Sequence, residues 1–269
     1  MKKSTKLVAL ALCVLMAAVV FAGCASEQQS APDTSEQQSA LDKIKAAGEI
    51  VMLTNPAFPP FEYLGTDNEI VGVDVEIANA IANEIGVKLK IVDMDFDGII
   101  SAVQSGKGDL GVAGITATDE RRESVDFSVN YVDTAQYIIV KSDNTDITSA
   151  DDLAGKNVGV QNGTTGDIYV TDNTTAVPYR YKTASDAAIE LNNGKLDAVV
   201  IDEMPANEIV STYSGLKLID TPLTEEQYAI AIAKGNDDLK EVVDKVLNEL
   251  LESGQIDQWI EEYKASSDS

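Results

Sequence analysis

The stretch GVDVEIANAIANEIGVKLKIVDMDFDGII, residues 72–100, decides the fold predicted for this chain. Between Val73 and Ile85 the apolar residues recur on one side of a helix, and Gly86 lies where that helix should end. Val87–Val92 alternates as a strand does, and Phe96–Ser105 has the pattern of a second short helix. The segment therefore predicts helices and strands in alternation.

The rest of the chain continues this alternation. Strands predicted at Glu49–Thr54 and Leu110–Ile115 complete a βαβαβ unit, which implies a parallel sheet with helices on its outside. The second half predicts strands at Val158–Val160, Ala198–Ile201 and Tyr228–Ala233, and helices at Thr164–Val170, Ala184–Leu191, Glu203–Ser211, Asp237–Leu251 and Ile256–Tyr263. Two α/β units and a returning segment predict two lobes, with a ligand in the cleft between them.

Composition narrows the classes of function. The chain of 269 residues carries 45 acidic and 20 basic residues, a formal net charge of −25, which argues against nucleic-acid binding because phosphate contacts need positive charge. It contains no histidine, so a Ser-His-Asp or Cys-His catalytic site cannot form and the commonest metal ligand is absent. The sequence predicts no catalytic residue, no metal site and no cofactor, although chemistry by carboxylates alone stays open.

The N-terminal segment has the features of an export signal. Three lysines within the first six residues precede the apolar run Leu7–Ala22, which at 16 residues is too short for a comfortable membrane span. We therefore predict that residues 1–23 form a signal peptide. The sequence Phe-Ala-Gly-Cys at 21–24 resembles a bacterial lipobox, which predicts a lipid on Cys24. The alternative is an ordinary signal that leaves Cys24 as a free thiol.

A polar segment follows Cys24. The hexapeptide SEQQSA occurs at residues 26–31 and again at 35–40, and the segment offers almost nothing apolar to bury. Residues 24–41 are therefore predicted to be the lipidated cysteine and a disordered tether, which would let a folded body stand off from a membrane surface.

Aromatic and polar residues follow the strands of the first lobe. Phe58 lies on a proline-rich loop after the first strand, and Phe96 follows the next strand, so the two rings form either a clamp for a small solute or part of the core. After the third strand, Gly114 permits a close backbone approach and Thr116 offers a hydroxyl. Arg121 offers a planar guanidinium that matches a carboxylate; the alternative is a surface residue in the charged run DERRE.

The second lobe offers a complementary set. Residues 162–166, NGTTG, lie between a strand and a helix, so their N–H groups and the hydroxyls of Thr164 and Thr165 predict an anion site at a helix N-terminus. Asp202 ends a buried strand and offers a carboxylate. Thr164 and Asp202 also have a simpler interpretation, as helix N-caps.

Together the two sets suit a zwitterionic amino acid. Arg121 and Thr165 would hold its α-carboxylate, and Asp202 would hold its α-ammonium. Phe58 and Phe96 would pack against its side chain.

Six segments carry a resemblance to a known family. They are AFPPFEY (57–63), GVDVEIANAIA (72–82), MDFDGIISAVQSG (94–106), GITATDERRESVDFS (114–128), VGVQNGTTGD (158–167) and DAVVIDEMPANE (197–208). These segments resemble the amino-acid-binding family of solute-binding proteins, family 3, which serve bacterial ABC importers. The resemblance runs from about Ile44 to Tyr263, and the pattern GITxTDER followed by DFS is highly specific.

The resemblance implies a fold and its boundaries. The fold would be a two-lobe α/β fold of the periplasmic-binding-protein type II, each lobe a mostly parallel sheet flanked by helices. Lobe 1 would comprise residues 42–131 and 230–269, and lobe 2 residues 136–226. Two hinge strands, at 131–136 and 226–230, would join the lobes.

The resemblance also assigns roles to single residues. The carboxylate-binding arginine of the family falls on Arg121 rather than on the arginine that follows it. Gly114 and Thr116 would bind the α-ammonium through a carbonyl and a hydroxyl, and Asp202 would complete that site. Thr165 would add to the carboxylate site.

Two neutral residues bear on the ligand side chain. Members with basic ligands that are similar around QNGTTG often carry aspartate at the position of Asn55, so an uncharged amide there weakens selection for lysine or arginine. Gln161 is neutral as well. The sequence therefore predicts a polar L-amino acid, with glutamine-like and basic ligands both in contention.

The predicted protein is an extracytoplasmic lipoprotein, held by its lipid at the outer face of the cytoplasmic membrane or in the periplasm. It would capture its ligand as a monomer when the lobes close and deliver it to an ABC permease in the membrane. Two rivals stay open. One is an enzyme of the same fold, such as a cyclic-acid dehydratase with Asp202 or Glu62 as its acid, and the other is an extracellular amino-acid sensor module.

Overall fold

Most of the predicted helices and strands form in the computed structural model, which describes residues 38–267. The strands are β1 (Glu49–Thr54), β2 (Ala57–Phe58), β3 (Glu62–Leu64), β4 (Ile70–Val71), β5 (Lys88–Asp93), β6 (Leu110–Gly111), β7 (Val125–Phe127), β8 (Val132–Thr134), β9 (Gln136–Lys141), β10 (Asn157–Gln161), β11 (Val177–Tyr181), β12 (Ala198–Asp202), β13 (Leu216–Ile219), β14 (Glu226–Tyr228) and β15 (Ala231–Ala233). The helices are α1 (Ala40–Ala47), α2 (Val73–Ile85), α3 (Ile99–Gln104), α4 (Asp119–Ser124), α5 (Thr165–Asn173), α6 (Ala184–Asn192), α7 (Glu203–Thr212), α8 (Asp237–Ser253) and α9 (Gln255–Ser267).

Lobe 1 is built on a five-stranded sheet with the order β5-β1-β6-β15-β7. Strand β1 pairs in parallel with β5 and β6, whereas β15 pairs antiparallel with β6 and β7. Helix α2 contacts this sheet through its apolar side, so that Val73, Ile77 and Ile81 are fully buried. Gly86 ends the helix in the left-handed conformation, with φ 83°, as the sequence predicted.

Lobe 2 repeats this architecture with the strand order β11-β10-β12-β9-β13. Strand β10 pairs in parallel with β11 and β12, and β9 pairs antiparallel with β12 and β13. The sequence of β12, AVVID, is buried along its whole length because α5, α6 and α7 all contact it. Such continuous burial explains why this strand does not alternate between apolar and polar residues.

The chain passes between the two sheets twice. Strand β8 in one passage pairs antiparallel with β14 in the other, with Glu226 opposite Thr134 and Tyr228 opposite Val132. This two-stranded ribbon belongs to neither five-stranded sheet. It therefore provides a narrow link between the lobes, within the two segments predicted to be hinges.

Three predicted elements differ from the structure by more than a shift of their end residues. Residues 96–105 form a 3₁₀ turn followed by α3 rather than one helix. The strand predicted at Leu110–Ile115 pairs only as β6, because the chain turns at Gly114, which has φ 53°. The strand predicted at Tyr228–Ala233 is divided, since Tyr228 pairs within the ribbon and Ala231 pairs within the sheet of lobe 1.

The described part of the chain begins close to α1. The tether was predicted to extend to Leu41, but α1 begins at Ala40. Ser39 caps this helix by accepting a hydrogen bond from the Asp42 N–H, and the Leu41 N–H donates to Asp238 of α8 at 2.9 Å. The predicted signal peptide 1–23, Cys24 and the tether up to residue 37 lie outside the described residues. Within residues 38–267, none of the helices combines the length and apolar character needed to cross a membrane.

Candidate functional site

A cavity lies between the lobes, where the carboxyl ends of several strands meet the N-terminus of α5. Its lining consists of Asn55, Phe58, Glu62, Phe96, Ala113, Gly114, Thr116, Arg121, Gln161, Thr164, Thr165 and Asp202. The structure thus brings together all nine residues that the sequence predicted to bind a ligand. Glu62, Ala113 and Thr164 are additional members of the lining. The role of each residue toward a ligand remains a prediction.

Arg121 joins the two sides of the cavity. Its Nη1 donates to the carbonyl of Thr116 at 2.7 Å, and its Nη2 donates to the carbonyl of Gly163, in lobe 2, at 2.9 Å. The guanidinium carbon lies 5.4 Å from the centroid of the Phe96 ring, which limits its orientation further. Burial lowers the pKa of Arg121, while the negative charges of Glu226 and Asp202 oppose that shift. The group stays charged, because an arginine pKa begins far above neutrality.

The neighbouring Arg122 has a different environment. It is exposed and lies over the ring of Phe127 at 5.3 Å, and it does not line the cavity. The third arginine, Arg180, pairs with Asp167 of α5 at 2.8 Å. Of the three arginines, Arg121 is the one that lines this cavity.

Asp202 occupies the N-cap position of α7, but its side chain makes no capping hydrogen bond. Instead the carboxylate accepts hydrogen bonds from Tyr228 Oη at 2.6 Å, from Gln136 Nε2 at 2.6 Å and from Thr134 Oγ1 at 3.2 Å. Burial raises the pKa of Asp202 from 3.8 to about 7, although the bonds from Tyr228 and Gln136 act in the opposite direction. Without a cation beside it, this carboxyl is therefore partly protonated near neutral pH, and a cation would favour its ionised form.

Thr164 does act as an N-cap, as its simpler interpretation predicted. Its hydroxyl accepts from the Asp167 N–H at 3.2 Å and donates to the carbonyl of Gln161 at 2.8 Å. This capping fixes the start of α5 at Thr165, and both Thr164 and Thr165 line the cavity.

A second buried acid, Glu62, also reaches the cavity. Its side chain is 1% exposed and contacts the fully buried carboxyl of Asp74 on α2. Asp74 accepts hydrogen bonds from the Gly114 N–H at 2.9 Å and from Tyr131 Oη at 2.8 Å. Burial, and then the charge of Asp74, raises the pKa of Glu62 well above its usual range. Within the described part of the chain, Glu62 Oε2 has no hydrogen-bond partner.

Two amides meet across the cleft at another wall of the cavity. Gln161 Nε2 donates to Asn55 Oδ1 at 2.9 Å, which connects lobe 2 to lobe 1. Asn55 Nδ2 donates in turn to the carbonyl of Met94 at 3.0 Å. This wall is therefore polar and uncharged, in agreement with the neutral character of the two residues in the sequence.

Phe58 combines the two roles that the sequence left open. It is 8% exposed and packs within the core against Phe61 and Tyr228, with ring centroids 5.9 and 6.2 Å away, yet it also lines the cavity. A Cβ on Gly114 would lie 2.6 Å from the Phe58 ring, and the φ of 53° is unfavourable for other residues. Glycine at 114 is therefore required for this ring to lie where it does.

The match to a family of proteins covers nearly all of the structured chain. Residues 50–266 match the family model of bacterial extracellular solute-binding proteins, family 3. The chain belongs to this family. The family that the sequence motifs indicated is thereby confirmed.

Two curated relatives of this family 3 protein are binding proteins. An L-cystine-binding protein of Escherichia coli (strain K12) is 29% identical over 219 residues, which are 80% of this chain and 82% of that protein. An arginine-binding extracellular protein of Bacillus subtilis (strain 168) is 33% identical over 249 residues, which are 89% of this chain and 94% of that protein. Both are named for the amino acid that they bind rather than for a reaction.

Solved structures confirm the predicted fold class. The arginine-bound form of a truncated ArgBP from T. maritima is 42% identical, with a TM-score of 0.74 over 78% of this chain and 99% of that chain. The family 3 protein therefore has the predicted two-lobe α/β fold of the periplasmic-binding-protein type II, with sheets flanked by helices.

Sequence reasoning missed three acidic residues in or beside the cavity. The sequence indicated Glu62 only as a possible catalytic acid, and it did not indicate Asp74 or Glu226 as members of the site. The sequence predicted a loop at Phe58, but Phe58 and Glu62 lie on β2 and β3 of one small sheet that follows β1. The position of this segment after a strand could have indicated Glu62. Among residues 38–267, no group of three or more histidine, cysteine, aspartate or glutamate side chains is arranged to hold a metal ion.

Proposed function

We propose that this protein captures an L-amino acid with a cationic side chain between its lobes, and that L-arginine is its ligand. The observation that carries this proposal is the set of charges that line the cavity. Arg121 is the one cation in the lining, and Glu62 and Asp202 are its two acids.

An amino acid backbone would use one charge of each sign. Arg121 would pair with the α-carboxylate, since its guanidinium presents parallel N–H donors. Asp202 would pair with the α-ammonium. Glu62 is then left without a cationic partner, and its Oε2, which has no hydrogen-bond partner among the described residues, offers an acceptor to a cationic side chain. The charge of that side chain would favour the ionised carboxyl and so oppose the burial that raises the pKa of Glu62. A buried carboxyl gains most from a partner that is both charged and a hydrogen-bond donor, as a guanidinium is.

The neutral amide of Asn55 does not exclude a cationic ligand. The neutral amide at that position removes one possible acid from the cavity, but it does not leave the cavity without an acid for a side chain. Asn55 and Gln161 already bond to each other across the cleft, whereas Glu62 Oε2 lacks a partner among the described residues. The relatives named for arginine support a basic ligand as well.

The proposed function also requires closure of the lobes and a location at the outer face of the membrane. The lobes would close about the segments 131–136 and 226–230, because contacts to the ligand come from both lobes and stabilise the closed arrangement selectively. The closed protein would deliver its ligand, as a monomer, to an ABC permease. It would work outside the cytoplasm, held at the membrane by a lipid on Cys24.

A binding screen tests the proposal. Titration calorimetry on the purified protein should give a dissociation constant on the order of 1 µM for L-arginine, equivalent to about 8 kcal/mol. L-Citrulline, which has the shape of arginine but a neutral urea group, should bind at least roughly tenfold more weakly, since it cannot supply the missing charge. L-Glutamine and L-cystine complete the series.

Each result has a defined meaning. Equal affinities for arginine and citrulline, or a preference for glutamine or cystine, would contradict the assignment of a cationic ligand. If none of the amino acids bound in the titrations or raised the melting temperature of the protein, the assignment of amino-acid binding would be wrong. Mass spectrometry after incubation should return the ligand unchanged, and a dehydrated product would instead support the enzyme rival.

A further inference from the structure

Glu226 connects the two lobes through two hydroxyls. It lies on β14, in the ribbon between the sheets, and its Oε2 accepts from Thr116 Oγ1 of lobe 1 and from Thr165 Oγ1 of lobe 2, both at 2.7 Å. Its Oε1 accepts from Thr224 Oγ1 at 2.8 Å. Glu226 itself does not line the cavity, but both of the threonines that donate to Oε2 do.

These hydrogen bonds determine which part of each hydroxyl faces the cavity. A hydroxyl has one proton and two lone pairs, and a carboxylate oxygen can only accept. Since Thr116 gives its proton to Glu226, it can offer only lone pairs to a ligand. Thr165 likewise gives its proton to Glu226, and its oxygen also accepts a hydrogen bond from Gln136 Nε2 at 3.1 Å. Both hydroxyls are therefore set as acceptors.

We propose that Glu226 is a positioning residue that holds Thr116 and Thr165 as hydrogen-bond acceptors and so makes the cavity selective for a ligand with an α-ammonium group. The inference rests on the proposed amino-acid binding and deepens it. An ammonium is a donor on all sides, so it matches an acceptor hydroxyl. The α-carboxylate would then depend on Arg121 and on the N–H groups at the start of α5 rather than on the Thr165 hydroxyl.

The substitution Glu226→Gln tests this role directly. The neutral amide oxygen of glutamine accepts a hydrogen bond more weakly than a carboxylate oxygen does, so the two threonine hydroxyls would be held less firmly and could turn their protons toward the cavity. Glu225→Gln is the matched control, because it removes the same charge from an exposed side chain one residue away. The ligands are L-arginine and δ-guanidinovaleric acid, which is arginine without its α-amino group, the latter measured by displacement of arginine.

The expected result is a loss of selectivity for the α-amino group. In Glu226→Gln the preference for arginine over the deamino analogue should fall roughly tenfold, because a charge-assisted hydrogen bond is lost. The affinity for the analogue should change less than roughly threefold, and Glu225→Gln should leave both affinities as they are. An equal loss for both ligands would show a structural role only and would overturn the inference.

A double-variant cycle covers the case in which Glu226→Gln folds poorly or the analogue binds too weakly. Thr116→Val keeps the shape of Thr116 but removes its hydroxyl. If Glu226 acts through that hydroxyl, Glu226→Gln should weaken arginine binding much less in the Thr116→Val background than in the wild type. Additive losses would contradict the inference. A wild-type protein that binds no amino acid would instead contradict the proposed function itself.

Discussion

Lobe 1 and lobe 2 present different chemistry to the cavity that they share. Lobe 1 contributes eight of its twelve lining residues, including both phenylalanines and the guanidinium of Arg121. Lobe 2 contributes the other four, which are Gln161, Thr164, Thr165 and Asp202. Lobe 1 thus offers apolar surface, the cation of the lining and the acid Glu62, whereas lobe 2 offers polar groups, a helix N-terminus and the acid Asp202.

This difference suggests an order of events in ligand capture. Lobe 1 would hold a ligand by its carboxylate and its side chain before the lobes meet. Lobe 2 would add the partner for the α-ammonium, so its contribution comes only with closure. Substitutions in lobe 1 should therefore remove capture, whereas those in lobe 2 should mainly speed up release.

The largest effect is expected at Arg121. Arg121→Ala would leave the ligand carboxylate buried without its partner, which should cost about 2–5 kcal/mol in binding free energy. Titration calorimetry with L-arginine measures this loss. Arg122→Ala is the matched control, since Arg122 is exposed and lies outside the cavity. A comparable loss in both variants would break the proposed division between the lobes, because the cation of lobe 1 would then have no special role.

Asp202 gives the corresponding test of lobe 2. Asp202→Asn should weaken arginine binding by about 1.5–3 kcal/mol, the range for hydrogen bonds to charged groups. The loss should arise mainly from faster dissociation, which stopped-flow measurements can separate from association. Slower association with unchanged dissociation would contradict the proposed order of capture.

The pH dependence of L-arginine affinity follows from the pKa of Asp202, which is about 7 in the protein without ligand. Below that pH the carboxyl is protonated and cannot pair with an ammonium, so affinity for L-arginine should rise roughly tenfold between about pH 6 and pH 8. Calorimetry at several pH values measures this rise. It should largely disappear in Asp202→Asn, and an unchanged slope in that variant would assign the titration to another group.

The same shift has the opposite effect on the free protein. Because the folded-state pKa of Asp202 lies above its usual value of 3.8, the folded state keeps a proton that the unfolded state has already lost. This contribution to stability is complete below about pH 4 and is lost as the pH rises through about 7. Heating curves without ligand should therefore show this loss in the wild type and not in Asp202→Asn.

Glu62 tests the selectivity that lobe 1 provides. Glu62→Gln should weaken L-arginine binding roughly tenfold, because the guanidinium of the ligand loses its charged partner. The affinity for L-citrulline should change less than roughly threefold, because its neutral urea group forms no charge pair that the substitution could remove. Glu69→Gln, an exposed glutamate in the same loop region of lobe 1, is the control. If arginine and citrulline lost affinity equally, Glu62 would contact a group that they share.

The smallest effect is expected at the edge of the cleft. Lys182 of lobe 2 pairs with Asp95 of lobe 1 at 2.8 Å, but both side chains are largely exposed. Lys182→Ala should therefore change arginine affinity by no more than a few-fold, and the difference should vanish in concentrated salt. A large, salt-independent loss would mean that closure depends on this pair as well as on contacts with the ligand.

The pattern of predicted and missed residues has a physical cause. Thr165 and Asp202 were predictable because Thr165 begins a helix and Asp202 ends a strand, and the carboxyl ends of parallel strands meet at one edge. Arg121 was predictable from the TDER motif. Glu226 has no such position. It reaches Thr116 across 110 residues and Thr165 across 61 residues, so no local pattern connects them.

The sequence by itself determined the two α/β units, the family and nine of the twelve residues that line the cavity, because these depend on local periodicity and on short motifs. Only the tertiary structure decided the charge balance of the cavity. Burial of Glu62 against Asp74, the raised pKa of Asp202 and the two hydroxyls that donate to Glu226 all arise where distant segments exclude water together. The desolvation of a group depends on every residue packed around it, so it cannot be predicted from the order of residues along the chain.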